Sequence, residues 1–190
     1  MNEKTETKSR LSIRDMVIMA LLAALICVLS PWTVPIGPVP VSFGTFAIYL
    51  TVYIAGWKRG SISVLIYLLL GFVGLPVFAG FTGGAAKLAG PTGGYLIGYI
   101  PMAILIGLVI DRFPGNNLKD RLIGLAAMLA GTWVLYLFGT LWLALVLHYT
   151  FAEALAIGVL PFLLTDFLKM VLAAVLGPIL RSRISRFDRN

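Results

Sequence analysis

Two ionisable residues stand in a stretch where ionisable residues are costly. Asp166 and Lys169, in Thr165-Asp166-Phe167-Leu168-Lys169-Met170, interrupt an otherwise apolar run that follows Pro161. Three residues apart on a helix, they share a face. Counted from Pro161, they lie about 7 to 12 Å along that helix at 1.5 Å per residue. Charged groups at such depth in an apolar span normally face a bundle interior or a wet cavity. The spacing suits a neutralising pair that holds helices together. It also suits an acceptor and a cationic donor presented to a polar ligand. Lys87 is a third isolated charge, inside a glycine-rich stretch. It is either a solvated surface lysine or a contact for an arriving carboxylate.

Other chemistry is poorly provided for. Cys27 is the single cysteine and His148 the single histidine. No internal disulfide or cysteine-based zinc site can form, and a His-based metal site or a Ser-His-Asp triad would rest on His148 alone. Glu153 and His148 flank a connection and read as solvated. An intramembrane enzyme needs a nucleophile, an acid–base pair or a metal site, and no such spacing is present. The glycines from Gly80 to Gly94 lack the G-x-x-x-x-G-K-[ST] spacing of a phosphate loop. They are better suited to tight turns and close backbone approach to a ligand.

The elements that position these residues follow from composition. The chain has 190 residues, 59% hydrophobic and 12% charged, against about 25% charged in a typical soluble domain. The length accommodates five to seven spans of about 20 residues. Breaks at proline, glycine and charge predict six helices: 13–30, 43–56, 61–75, 93–110, 121–147 and 161–181. With both termini on the cytoplasmic side, the inner segments hold Lys4, Lys8, Arg10, Arg14, Lys58, Arg59, Arg112, Lys119, Arg121, Arg181, Arg183, Arg186 and Arg189. That is 13 of the 15 basic residues, as the positive-inside rule requires. The net charge of +7 thus reads as topology rather than as a nucleic-acid surface. The expected organisation is an all-α membrane protein of the cell membrane. Residues 1–12 form a cytoplasmic tail, 13–182 a six-helix domain, and 183–190 a second cytoplasmic tail. The apolar stretch from Met16 to Leu29 is read as a retained span, not a cleaved signal. Trp32 and Trp57 fit interfacial belts.

The outer connections are unusual. Residues 31–42 hold four prolines, and residues 74–94 hold seven glycines and two prolines. Long irregular connections tend to be functional or disordered, and these are too apolar for disorder. They read as a lid over a site, or as a plug that seals the bundle. On the first helix, Ala20 and Ala24 form a small-xxx-small surface that lets another helix approach closely, within the bundle or from a partner.

Four segments carry a family resemblance: Gly37-Pro38-Val39-Pro40-Val41-Ser42, Gly74-Leu75-Pro76-Val77-Phe78-Ala79-Gly80, Gly90-Pro91-Thr92-Gly93-Gly94-Tyr95, and Thr165-Asp166-Phe167-Leu168-Lys169. In this order and spacing they resemble BioY, the biotin-specific S component of energy-coupling factor (ECF) transporters. The resemblance implies a six-helix S-component fold, high-affinity capture of biotin from outside, and no cofactor or metal. It implies partnership with a transmembrane coupling subunit and two ATP-binding-cassette ATPases that carry the nucleotide chemistry. The coupling subunit would dock on Ala20 and Ala24, and the loaded subunit would tilt to release its vitamin inside. Ureido N–H groups need an acceptor, for which Asp166 is the candidate. The valerate carboxylate needs a cation, Lys169 or Lys87. Tyr95, Phe43, Phe78 and Phe81 are the candidate apolar walls. Family members often carry an amide-bearing residue and an arginine around the glycine-rich loop. This chain has no such arginine, and Thr82 stands where a stronger polar group is expected. The competing readings are an S component for another vitamin and a non-enzymatic structural or channel subunit.

Overall fold

The computed structural model of the chain describes residues 12–35 and 38–187, with side chains through residue 184. The basic residues of the first eleven positions, Gly37, Arg189 and the side chain of Arg186 lie outside the described residues. The chain forms α1 (Ile13–Leu29), β1 (Thr33–Val34), β2 (Val41–Ser42), α2 (Gly44–Phe72), α3 (Ala85–Ala89) and α4 (Gly93–Arg112). There follow α5 (Leu118–Leu147), α6 (Phe151–Gly158), a 3₁₀ turn (Leu160–Phe162) and α7 (Leu163–Phe187). Helix α2 packs against α1, α4 and α7, and α5 packs mainly against α4. The helices bury a continuous apolar core that includes Ile48, Val52, Met102, Ile106 and Met128. They turn Leu137, Leu141, Leu145, Leu168 and Leu172 outward. A bundle apolar on its outside as well as its inside is suited to lipid, where helices satisfy their own backbone groups. Three helical stretches are long and apolar enough to cross a membrane: Gly93–Arg112, Leu118–Leu147 and Phe151–Ile184.

The expected second and third helices are joined more closely than a 57–60 turn would have it. The helix breaks at one residue, Gly56, whose φ of 73° and ψ of −171° are non-helical. Such a φ is strained for any residue with a Cβ, and a Cβ there would also meet the Asp111 carboxylate at 2.3 Å. The break leaves orphan backbone groups, and two side chains satisfy them. Asp111 Oδ2 accepts from the Trp57 amide at 2.9 Å, and Arg181 donates to Tyr53 O at 3.3 Å. Arg181 and Asp111 also bond to each other at 2.8 Å. Lys58 and Arg59 therefore lie within the helix rather than in a turn, and Arg59 pairs with Asp15 of α1 at 2.7 Å.

Four further features depart from the expectation. The proline-rich loop carries a two-residue antiparallel ribbon, with Thr33 opposite Ser42 and Val34 opposite Val41. The glycine-rich loop contains the single turn α3. Helix α6 precedes Pro161; Thr150 and Glu153 form a reciprocal capping box at its start, which assigns Glu153 a structural task. Helix α7 continues to Phe187, so residues 183–187 extend the last helix.

Candidate functional site

Helix α7 brings Asp166 and Lys169 to the middle of the bundle, where both are buried, at 3% and 9% exposure. Lys169 Nζ lies 2.8 Å from Asp166 Oδ1. The pair is built into its neighbours. Thr45, in the first turn of α2, donates to Asp166 Oδ1 at 3.2 Å, and Tyr136 of α5 donates to Asp166 Oδ2 at 2.8 Å. Lys169 Nζ donates to Ser42 O at 2.7 Å and to Thr45 Oγ1 at 3.2 Å. Two buried charges in an apolar bundle are tolerable only when paired and fully hydrogen-bonded, and here the partners come from β2, α2 and α5.

The pair does not close on itself in a solid core. It lines a cavity with ≈ 600 Å³ of empty space, counted out to its open mouth. One side is polar: Ser42, Thr45, Tyr136, Asp166 and Lys169. The opposite side is formed by Ser30, Tyr67, Phe78 and Ala79, and the α4 end supplies Thr92, Tyr95, Leu96 and Tyr99. Val39, Pro40, Leu135, Phe162 and Lys87 complete the lining. The walls are held by specific contacts. Ser30 Oγ and Tyr67 OH are 2.6 Å apart, and Phe78 stands edge-on to Tyr67 with ring centroids 5.5 Å apart. Tyr95 donates to Gly158 O at 2.8 Å, and Trp142 Nε1 holds Gly90 O at 2.9 Å. The loops 31–42 and 74–94 are stitched to each other by Gly80 N–H to Pro31 O at 3.0 Å and by the Trp32–Phe81 ring contact.

Of the candidate residues, Asp166, Lys169, Lys87, Tyr95 and Phe78 line this cavity. Three others do not. Phe43 precedes α2 and is 52% exposed, and Phe81, at φ 56°, turns outward onto Trp32 with 58% exposure. The Thr82 hydroxyl is spent on Ala79 O at 2.9 Å, inside the Phe78–Thr82 bridge. Their side-chain directions are set by loop backbone angles that sequence spacing does not convey. Ala20 and Ala24 lie on the exposed face of α1, beside Met16, Val17, Leu21 and Val28. They take no part in the internal packing of the bundle. Thr45, Tyr136, Tyr67 and Ser30 were not singled out by sequence. The available signal was a hydroxyl in an apolar helix, shared with many that only pack.

Residues 2–186 match the sequence model of the BioY family. A biotin transporter BioY from Thermotoga maritima is 38% identical over 165 residues, 86% of this chain and 94% of the relative. Biotin transporter BioY2 from Lactococcus lactis subsp. cremoris is 34% identical over 175 residues, 92% and 94% of the two chains. Among solved structures, the S-component for biotin from an ECF-type ABC transporter superposes with a TM-score of 0.82. It is 30% identical, with 90% of this chain and 92% of that one covered. A match running through nearly the whole sequence, together with a shared fold, leaves one assignment: the chain belongs to the BioY family.

Proposed function

We infer that the chain is the biotin-binding S component of an ECF-type vitamin uptake transporter in the cell membrane. Six spans carry it, with both termini cytoplasmic and the loops 31–42 and 74–94 roofing a site that opens outward. The observation that carries the reading is the Asp166 carboxylate in the cavity wall. Its Oδ1 accepts two bonds and its Oδ2 only one. A carboxylate has about four acceptor positions, so Oδ2 retains one for a ligand N–H. A ureido group offers such a donor, while Tyr67, Phe78 and Tyr95 suit the apolar bicycle and chain of biotin. No cofactor enters this reading. Asp166→Asn is expected to weaken biotin binding about tenfold or more while leaving insertion and folding intact. A charge-assisted acceptor is worth about 1.5–3 kcal/mol. Titration of purified protein with biotin checks it, and unchanged affinity would make the helix pair structural only. Competition by riboflavin and thiamine separates biotin from another vitamin as cargo.

The exposed small-residue face of α1 is the proposed docking surface for the coupling subunit, with two ATPases completing the transporter. Ala20→Trp or Ala24→Trp places a bulky ring where close helix approach is needed. Either is expected to cut co-purification of the coupling subunit by about tenfold or more, with biotin binding retained. Intact complexes in both variants would remove this face from the interface.

A further inference from the structure

Two hollows lie on either side of the seam between α5 and α7. On α7, Asp166 and Lys169 line the cavity, while Leu164, Phe167 and Met170 line a second hollow that opens on the outside of the bundle. On α5, Leu135 lines the cavity, while Thr132 and Trp133 line the outer hollow. Among the described residues, Tyr136 alone belongs to both linings.

Tyr136 is fixed in the seam at two places. Its hydroxyl donates to Asp166 Oδ2 at 2.8 Å. Its ring meets Trp133 edge-on, with centroids 6.0 Å apart and planes at 89°. One turn along both helices, Thr132 Oγ1 lies 4.0 Å from Met170 Sδ, and the seam is closed there without Tyr136. At the level of Asp166 the tyrosine ring is itself the wall. Tyr136 is 5% exposed and Trp133 59%, so open groove rather than packed core lies beyond the ring. The Thr132 hydroxyl is already engaged by Tyr49 and Met128 O, which leaves the outer hollow apolar in what it offers. Asp166 Oδ2 is the oxygen that keeps an acceptor position for a ligand N–H. A ligand donor and the tyrosine therefore converge on one atom, and any group larger than N–H at that place meets the tyrosine first.

We propose that Tyr136 is a specificity-determining residue that acts by size. Its ring separates the cavity from the apolar hollow between α5 and α7, and so bars ligands whose cyclic urea carries a substituent. The inference rests on the biotin reading and concerns what the site rejects. Selection needs a clash against the wrong ligand as well as contacts to the right one. Extra methylenes in a packed site push neighbours off their rotamers. Here the neighbour is Tyr136, which would give up its bond to Asp166 in moving.

The test is titration of full-length protein in detergent with biotin and with its two N-propyl isomers, each alkylated on one ureido nitrogen. Wild-type protein is expected to bind biotin about tenfold or more tighter than either isomer. In Tyr136→Ala at least one isomer is expected to bind about tenfold or more tighter than it binds wild type, with biotin bound no tighter. Loss of structure cannot produce such a gain. Tyr136→Phe removes the hydroxyl and keeps the wall, so both isomers stay excluded. Trp133→Ala widens the outer hollow without breaching the wall and leaves the preference for biotin as in wild type. Gel filtration establishes that each variant is folded; Tyr136→Leu, a shorter wall, replaces the alanine variant if that one aggregates and is read in the same way. An unchanged preference in the shortened-wall variant, or an equal collapse of preference in Tyr136→Phe, would overturn the size filter. So would a wild-type protein that binds biotin and an isomer alike, with the biotin reading left standing. A wild-type protein that binds no biotin overturns the biotin reading and the filter together.

Discussion

Lys169→Met is expected to lower biotin affinity about a hundredfold and to destabilise the folded protein. Removing one partner of a buried ion pair leaves the other charge uncompensated, at a cost of about 3–5 kcal/mol. Here the remaining group is Asp166, which would keep only Thr45 and Tyr136 as donors. The carboxylate then persists at that cost, and Oδ1 loses the ammonium that fixes its orientation toward a ligand N–H. Ser42 O would lose its ammonium donor as well, which loosens the junction between β2 and α2. The double variant Asp166→Asn/Lys169→Met separates the two effects. It removes both charges, so it is expected to regain most of the thermal stability lost by Lys169→Met while binding biotin no better. Melting temperatures and biotin titrations on the two single variants and the double variant close the cycle. Losses that simply add, in both readouts, would mean that the two side chains act independently.

Gly71→Val is expected to abolish measurable biotin binding through a residue that touches no ligand. A Cβ at Gly71 would fall 2.1 Å from the Phe78 ring. Phe78 is fully buried, and it forms part of the cavity wall beside Tyr67. The ring is buried edge-on against Tyr67, itself bonded to Ser30, and the open space beside it is the cavity that all three residues line. Overpacking of this kind costs about 1–3 kcal/mol in stability, and the displaced ring also occupies ligand volume. The measurement is biotin titration together with a melting curve. A drop in melting temperature with biotin affinity unchanged would show that the wall yields outward instead. Phe78→Ala on top of Gly71→Val relieves the overlap, and it is expected to recover stability more than affinity.

The positions most legible in the sequence were those where a residue type is costly in its surroundings. Asp166 and Lys169 stood out because charge within an apolar span demands an interior, and the structure places them in one. Breaks at proline, glycine and basic residues located the long helical stretches, though not the short helices α3 and α6. The boundary near Gly56 was placed correctly but given too long a turn. A glycine at positive φ, with Asp111 and Arg181 reaching in from α4 and α7, ends one helix and begins the next without a loop. Nothing local to residues 56–60 announces those distant partners. The opposite holds for α6, where Thr150 and Glu153 displayed a capping box that an eye fixed on Pro161 passed over. Aromatic residues divided evenly for the same reason that Gly56 misled. Phe78 and Tyr95 face the cavity, whereas Phe43 and Phe81 face away. The difference lies in loop dihedrals such as the φ of 56° at Phe81, not in residue type. Hydroxyl groups were the least legible. Thr45 and Tyr136 support Asp166, yet Thr132 and Tyr49 bond to each other at 2.6 Å and Thr132 to Met128 O at 2.7 Å, neither reaching that carboxylate, and the sequence offers no means of telling the two couples apart.

Helix α7 meets the first half of α2 at two separated points. Near its start, Asp166 and Lys169 engage Thr45 and Ser42; near its end, Arg181 engages Tyr53 O. Lys169 and Arg181 are about 18 Å apart along the helix axis at 1.5 Å per residue. Two rods tied at one place can swivel, but two rods tied at both ends form a truss. Sliding, tilting and rotation between them are all opposed, and the acid–lysine couple rides on a girder whose far bolt is Arg181. Among the described residues, by contrast, the loops 31–42 and 74–94 are joined by one amide–carbonyl bond, Gly80 to Pro31, and one ring contact, Trp32 to Phe81. The acid–lysine couple thus sits on the braced part of the molecule, and the loops on the lightly tied part.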